Sequence, residues 1–186
     1  MFRPRSGSLS FRGEKNKFVP KSWQASIGYM AQKPCFPSGF SGVDLQKMLT
    51  SFYPNWDQQR FANIYERFGV NPNQRIDQLS VGTAKLMALC TAYAISPIVY
   101  ILDEPTAGLD LIARQILFEV ITEESQKGCS TILSTHIVED VVTTCTHLGV
   151  IHAGKSLLEG PIENFGINTN QIQDSYLELI KRNSGL

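Results

Sequence analysis

Residues Ile98–Asp110 read IVYILDEPTAGLD. Five consecutive apolar residues, Ile98–Leu102, predict a strand buried on both faces of a parallel sheet. That strand ends on two acids, Asp103 and Glu104, and so delivers them to its carboxyl end, where open α/β sheets bind ligands. Adjacent carboxylates at such a place suit phosphoryl chemistry. One can hold Mg²⁺, usually through water, and the next can orient or deprotonate a water. Two solvated acids capping a loop would account for Asp-Glu alone. They would not account for Pro105, for Gly108-Leu109-Asp110, or for the Ser134-Thr135-His136 that follows.

Outward from this stretch, strand and helix signals alternate. Asp110 caps a helix of roughly Leu111–Lys127, and Gly128 stops it. Ser130–Ser134 reads as a strand and Ile137–Cys145 as a short helix. Leu148–His152 and Ser156–Leu158 read as a hairpin turning at Ala153-Gly154-Lys155. Asn170–Arg182 closes the chain as a helix. In the other direction, Ser80 caps a helix to about Ile95, ended by Pro97. Phe61, Ile64, Tyr65 and Phe68 recur at i, i+3, i+4 and i+7 ahead of Gly69, the pattern of an amphipathic helix. Val43–Tyr53 reads as a helix ended by Pro54. The Pro- and Gly-rich stretch 33–42 is a loop. Gln24–Met30 is a strand, Gly13–Ser22 a polar loop, and Ser8–Phe11 a short β-type run. The alternation predicts an α/β fold with a parallel sheet flanked by helices. The helix-only stretch 40–79 is predicted as a helical subdomain inserted between strands. Core segments are then 1–39 and 80–162, with 163–186 as a C-terminal helix.

The chain has 186 residues, with 17 Lys+Arg against 17 Asp+Glu. A net charge of zero leaves no electrostatic footprint for nucleic acid or anionic lipid. The 42% hydrophobic content excludes a disordered chain. No apolar run approaches the ~18 residues of a membrane span, and the start, Met1-Phe-Arg-Pro-Arg, leads into no secretory core segment. Four cysteines, at 35, 90, 129 and 145, show no metal-ligand spacing, so a reducing compartment is expected.

Taken in order, the motifs resemble the nucleotide-binding domain of ATP-binding cassette (ABC) proteins, from about Pro4 to Arg182. Gln32 matches the Q-loop glutamine. Leu79-Ser80-Val81-Gly82-Thr83 matches the signature motif. Ile98–Glu104 matches Walker B with the catalytic glutamate, Ala107-Gly108-Leu109-Asp110 the D-loop, and His136 the H-loop histidine. The runs His136-Ile-Val-Glu-Asp-Val and Phe52-Tyr-Pro-Asn-Trp-Asp57 are most similar to bacterial export-type and drug-resistance-type ATP-binding subunits. The resemblance implies ATP and Mg²⁺ as cofactors. It implies Glu104 as the base, His136 as a bridge between γ-phosphate and water, and Gln32 as a sensor that touches water and Mg²⁺. Asp103 would hold Mg²⁺ through water, and Ser80, Gly82 and Asp110 would border the nucleotide. A membrane-spanning transporter subunit and a second nucleotide-binding subunit, arranged head to tail, are the implied partners. The implied location is the cytoplasmic face of the cell membrane.

The sequence also departs from that pattern. Val81 stands where Gly is common and Thr83 where Gln is common. The basic residues that usually follow are thinned to Lys85, which reads as weaker attraction for phosphate or weaker interdomain pairing. No GxxxxGK[ST] loop (Walker A) precedes Gln32, although Pro4-Arg5-Ser6-Gly7 matches a turn found shortly after it. The expectation is therefore a P-loop NTPase-type sheet lacking the Walker A strand, with Leu148–His152 deprived of its natural neighbour and the chain inactive alone. Gly149-Val-Ile-His-Ala-Gly154-Lys155-Ser156 fits GxxxxGKS literally. It reads as a decoy, because its first Gly lies inside a strand and Gly160-Pro161 leaves no room for a helix. A non-catalytic regulatory or scaffold module and a decayed gene product remain as alternatives.

Overall fold

The computed structural model describes residues 6–165 and residue 181. The expected helix Asn170–Arg182 lies outside them apart from Lys181. The chain divides into two compact units, Met1–Ser134 and Thr135–Leu186.

The first unit opens with an antiparallel hairpin, β1 (Leu9–Phe11) and β2 (Glu14–Asn16). Its two-residue turn, Arg12-Gly13, holds both residues at positive φ, 52° and 83°. The stretch Gly13–Ser22 is thus not the plain loop expected from sequence. Arg at the first turn position lacks the Asn, Asp or Gly that announces such hairpins. A helical turn, α1 (Lys21–Gln24), follows Pro20, so the next strand, β3 (Ile27–Met30), is shorter than the Gln24–Met30 expected. Trp23 on α1 is buried, and its indole N–H donates to Glu14 at 3.0 Å.

Only helices then follow until the next strand: α2 (Gly42–Thr50), α3 (Gln58–Arg67), a 3₁₀ turn at Ile76–Gln78, and α4 (Val81–Ala94). Ser41 and Asp44 form a reciprocal capping box at the start of α2. Nine residues of α4, from all around its circumference, are buried. Such a helix must be covered on every side. Here α3 packs on it, and α4 packs on β3.

Strand β4 (Val99–Asp103), helix α5 (Leu111–Gln126) and strand β5 (Ser130–Ser134) complete the unit. The sheet order is β3-β4-β5, all parallel, with Met30 opposite Leu102 and Leu102 opposite Leu133. Met30, Tyr100 and Leu102 point into one core with Phe61, Ile64, Met87, Cys90 and Leu117. The helical stretch 40–79 therefore shares its hydrophobic cluster with the sheet. On the other face of the sheet, the cross-strand row Tyr29–Ile101–Ile132 leaves Tyr29 at 59% and Ile132 at 61% exposure.

The second unit holds α6 (Val138–Thr144), β6 (His147–His152), β7 (Lys155–Pro161) and a 3₁₀ turn at Ile162–Phe165. Among the described residues, strands β6 and β7 pair only with each other, antiparallel. Among the described residues the parallel ladder stops at three strands, as expected if Leu148–His152 lacks a neighbour in it.

A polar network ties α3, β4 and α5 together beneath the sheet. Arg60 donates to Glu124 at 2.6 Å, to the Tyr93 carbonyl at 3.2 Å and to the Tyr100 hydroxyl at 3.2 Å, and it lies 4.0 Å above the Tyr93 ring. Lys127 donates to the other Glu124 oxygen at 2.9 Å. Burial pushes the Glu124 carboxyl up, but hydrogen bonds from Arg60 and Lys127 outweigh it and hold it below the usual range. A lowered native pKa means that the carboxylate's contribution is present above the unfolded value, ~4.3, and lost as pH falls through the native one. Glu124→Gln should cost about 3 kcal/mol at pH 7, since it strands Arg60. It should also flatten the acid side of the stability profile, as read by urea denaturation at pH 7 and in the acid limb.

Candidate active site

Parallel register brings three loops to one edge of the sheet. Ala31-Gln32 leaves β3, Asp103-Glu104 ends β4, and Ser134, opposite Asp103, ends β5. The Ser134 hydroxyl donates to Asp103 Oδ1 at 2.5 Å and fixes that carboxylate at the strand end. Glu104 follows in the left-handed region, φ 47°. This conformation costs a non-glycine residue about 1–2 kcal/mol. It is held from both sides. The Glu104 N–H donates to the Ser134 carbonyl at 3.0 Å, and the Glu104 carbonyl accepts from Lys85 Nζ at 2.9 Å. Gln32 is exposed on its loop.

The start of α4 lies against the turn after Glu104. A Cβ added to Gly82 would sit 2.7 Å from the Gly108 carbonyl oxygen, so only glycine permits this approach. Ser80 caps α4, its Oγ accepting from the Thr83 N–H at 3.1 Å and sharing a 2.8 Å hydrogen bond with the Thr83 hydroxyl. The helix's first amides, Val81 and Gly82, have no carbonyl within the helix to take them. With the helix dipole they form an anion-binding end. Asp110 caps α5 in the same way, accepting from the Ala113 N–H at 2.8 Å. Ser80, Gly82, Asp103, Glu104 and Asp110 thus belong to one unit and one neighbourhood. His136 is exposed in the second unit, on the turn ahead of α6.

Lys85 has a place that the sequence reading did not assign to it. It is buried, at 4% exposure, and its ammonium donates to the carbonyls of Glu104 at 2.9 Å and Ala107 at 2.7 Å. A signal for this was available: one Lys stands in the otherwise apolar run Ala84–Cys90 of a helix buried all round. Ser134 was also missed, since its partner Asp103 lies 31 residues away, and the hydroxyl contact of Thr83 with Ser80 was not read from the motif.

The donors at this edge suit Mg²⁺. Asp103 and Gln32 present hard oxygens, and no group of three or more His, Cys, Asp or Glu that could cage a metal occurs among the described residues. Mg²⁺ takes one or two protein oxygens, water and substrate phosphates rather than such a cage.

The GxxxxGKS match lies elsewhere and has the wrong shape. Ala153 and Gly154, at φ 49° and 76°, form the two-residue turn between β6 and β7, with His152 opposite Lys155. Lys155 and Ser156 begin a strand, so no helix N-terminus faces a phosphate there.

Comparison with known proteins gives the family and the fold. The model of the ABC transporter family matches residues 1–107. The chain is 25% identical to the ABC-type transporter ATP-binding protein EcsA of Bacillus subtilis, over 98% of this chain and 77% of that protein. It is 35% identical to the Nod factor export ATP-binding protein I of Rhizobium johnstonii, over 86% of this chain and 53% of that one. A solved ATP-binding subunit of an ABC transporter superposes with a TM-score of 0.82 at 22% identity, covering 96% of this chain and 78% of that one. The chain spans about half the length of YtrB of Bacillus subtilis and of the Nod factor protein. This chain belongs to the ABC transporter family. Its fold is that of the family's ATP-binding domains.

Lys155→Ala should leave nucleotide affinity unchanged in equilibrium titration with Mg-ATP. A loss of tenfold or more would place the phosphates at the hairpin turn.

Proposed function

We propose that this chain is part of the ATP-binding subunit of an ABC transporter of export or drug-resistance type, coupling ATP binding and hydrolysis to transport. The observation that carries the reading is the contact between the α4 N-terminus and the turn after β4. It joins an anion-binding helix end to two carboxylates at the end of a parallel strand. Gly82 can lie that close to Gly108 only without a side chain, so the glycine of the signature is a geometric requirement here.

In this reading ATP is sandwiched between two subunits arranged head to tail. The second nucleotide-binding subunit supplies the phosphate-cradling loop. This chain supplies the Ser80 hydroxyl and the Val81 and Gly82 amides, which bind γ-phosphate oxygens. Thr83 turns the Ser80 hydroxyl toward them. Asp103 and Gln32 would hold Mg²⁺, which neutralises phosphate charge when bound. Ser134 keeps Asp103 in place for that role. Glu104 orients the attacking water and takes its proton. His136 bridges the γ-phosphate and that water. Asp110 borders the dimer partner at the start of α5. A membrane-spanning subunit contacts the surface around 33–56, which places the chain on the cytoplasmic face of the membrane. No described helix is long and apolar enough to cross a membrane, so under this reading the translocation path belongs to that partner. The names of the relatives EcsA and YtrB, both ATP-binding proteins of ABC transporters, support this assignment.

A tagged chain should co-purify with a membrane-spanning subunit and hydrolyse ATP in that complex in the presence of Mg²⁺. Glu104→Gln should lower kcat by about 10²–10³-fold, with KM for ATP little changed, as for loss of a general base. Full turnover in the variant would remove Glu104 from the mechanism. A complex without turnover in the unaltered chain would favour a non-catalytic regulatory module.

A further inference from the structure

We propose that Lys85 is a positioning residue that locks the helix bearing the anion-binding end to the turn bearing Glu104, so that the two move as one body. This rests on the reading of Glu104 as the base. The tie itself is independent of it.

Lys85 lies on α4 a little more than one turn after Ser80. Its ammonium reaches out of the helix to two carbonyls of one turn, those of Glu104 and Ala107. Neither partner is a carboxylate. A buried ammonium held by backbone alone must be met by carbonyl oxygens at a fixed separation, and it fixes them in return. The turn needs such a hold. Glu104 sits at φ 47°, and the bond closing the turn, from the Ala107 N–H to the Glu104 carbonyl, is long at 3.4 Å. Lys85 bonds to both residues of that weak closure. The next bond in the turn, Leu109 N–H to Thr106 carbonyl, is a firm 3.0 Å.

A second contact makes the tie directional. Gly82 is seated against the Gly108 carbonyl on the same turn. Lys85 thus pulls the turn toward α4 while Gly82 sets the distance of closest approach. Two points of attachment, about one helical turn apart, oppose rotation of the turn about either one. The consequence is mechanical. Any displacement of the Val81 and Gly82 amides carries the backbone of Glu104 with it.

Lysine is the suited residue. Its compact ammonium presents three donors, two of which are used here. A guanidinium would bring a planar fork into a space closed by backbone. Methionine keeps the unbranched apolar stem but leaves both carbonyls without this donor.

The test compares Lys85→Met and Lys85→Gln with the unaltered chain by amide hydrogen exchange. In Lys85→Met, exchange at Ala107 and Leu109 should rise about tenfold or more, the scale of one or two lost hydrogen bonds. Amides of the α4 interior, Ala88–Ala94, and of β4 should be unchanged. Lys85→Gln, whose shorter, neutral amide still carries N–H donors, should fall between. Unchanged exchange at Ala107 and Leu109 overturns the proposal. So does a uniform rise across α4, β4 and the turn in both variants, because that marks a purely structural lysine. If Lys85→Met does not fold, Lys85→Gln decides by the same criteria. In the transporter complex, both variants should lower kcat by about tenfold with KM for ATP little changed, since the base is misplaced while the phosphate-binding groups remain. A rise in KM alone overturns the claim that Glu104 is what Lys85 positions. Should the unaltered complex show no turnover, the exchange measurement still decides the tie, and the failure falls on the ATPase reading.

Discussion

One buried ammonium ties together two parts of the candidate site. Lys85 Nζ donates to the carbonyls of Glu104 and Ala107, and through them α4 and the end of β4 become a single object. Much of the rest of the unit supports that bond. Helix α4 packs against α3 and the sheet, and Lys85 on it is buried. Strand β5 anchors the Glu104 N–H and, through Ser134, the Asp103 carboxylate. The left-handed conformation of Glu104 is a local cost that these three anchors offset.

The parallel register explains why these residues can meet at all. Three adjacent strands run in one direction, so their carboxyl ends deliver Gln32, Asp103, Glu104 and Ser134 to one edge. At the opposite end of the strands, the Arg60–Glu124 network ties α3 and α5 to β4. The candidate site and the Arg60–Glu124 network are therefore at opposite ends of the same strand. The sheet is buried on the face of Met30, Tyr100 and Leu102 and open at Tyr29 and Ile132. A parallel sheet is ordinarily covered on both faces.

Much of this was legible in the residues. The apolar run Ile98–Leu102 marks a parallel strand, but Ile98 lies outside it and the sheet is buried on one face rather than both; the caps Ser80 and Asp110 and the spacing of Phe61, Ile64 and Tyr65 each state a local rule that the structure follows. The decoy at Gly154-Lys155-Ser156 was legible too, because a loop that opens a helix cannot be followed within a few residues by Gly160-Pro161. What was not legible depends on partners distant in sequence. The bonds of Lys85 depend on carbonyl acceptors about twenty residues on. The Arg12-Gly13 turn carries no strong hairpin signal, and its strands are three residues long. Ser134 reads as the end of a strand. Only pairing with Asp103 makes it part of the site.

The central claim is that the N-terminus of α4, locked to the Glu104 turn, receives the terminal phosphate of ATP. The most direct measurement is an experimental structure of the assembled transporter with Mg²⁺ and a non-hydrolysable ATP analogue. The account predicts γ-phosphate oxygens within hydrogen-bond distance of the Val81 and Gly82 amides and the Ser80 hydroxyl, with the Lys85 bonds to Glu104 and Ala107 intact. A nucleotide whose phosphates lie against Gly154-Lys155-Ser156, or one that leaves the α4 N-terminus facing solvent, would contradict it.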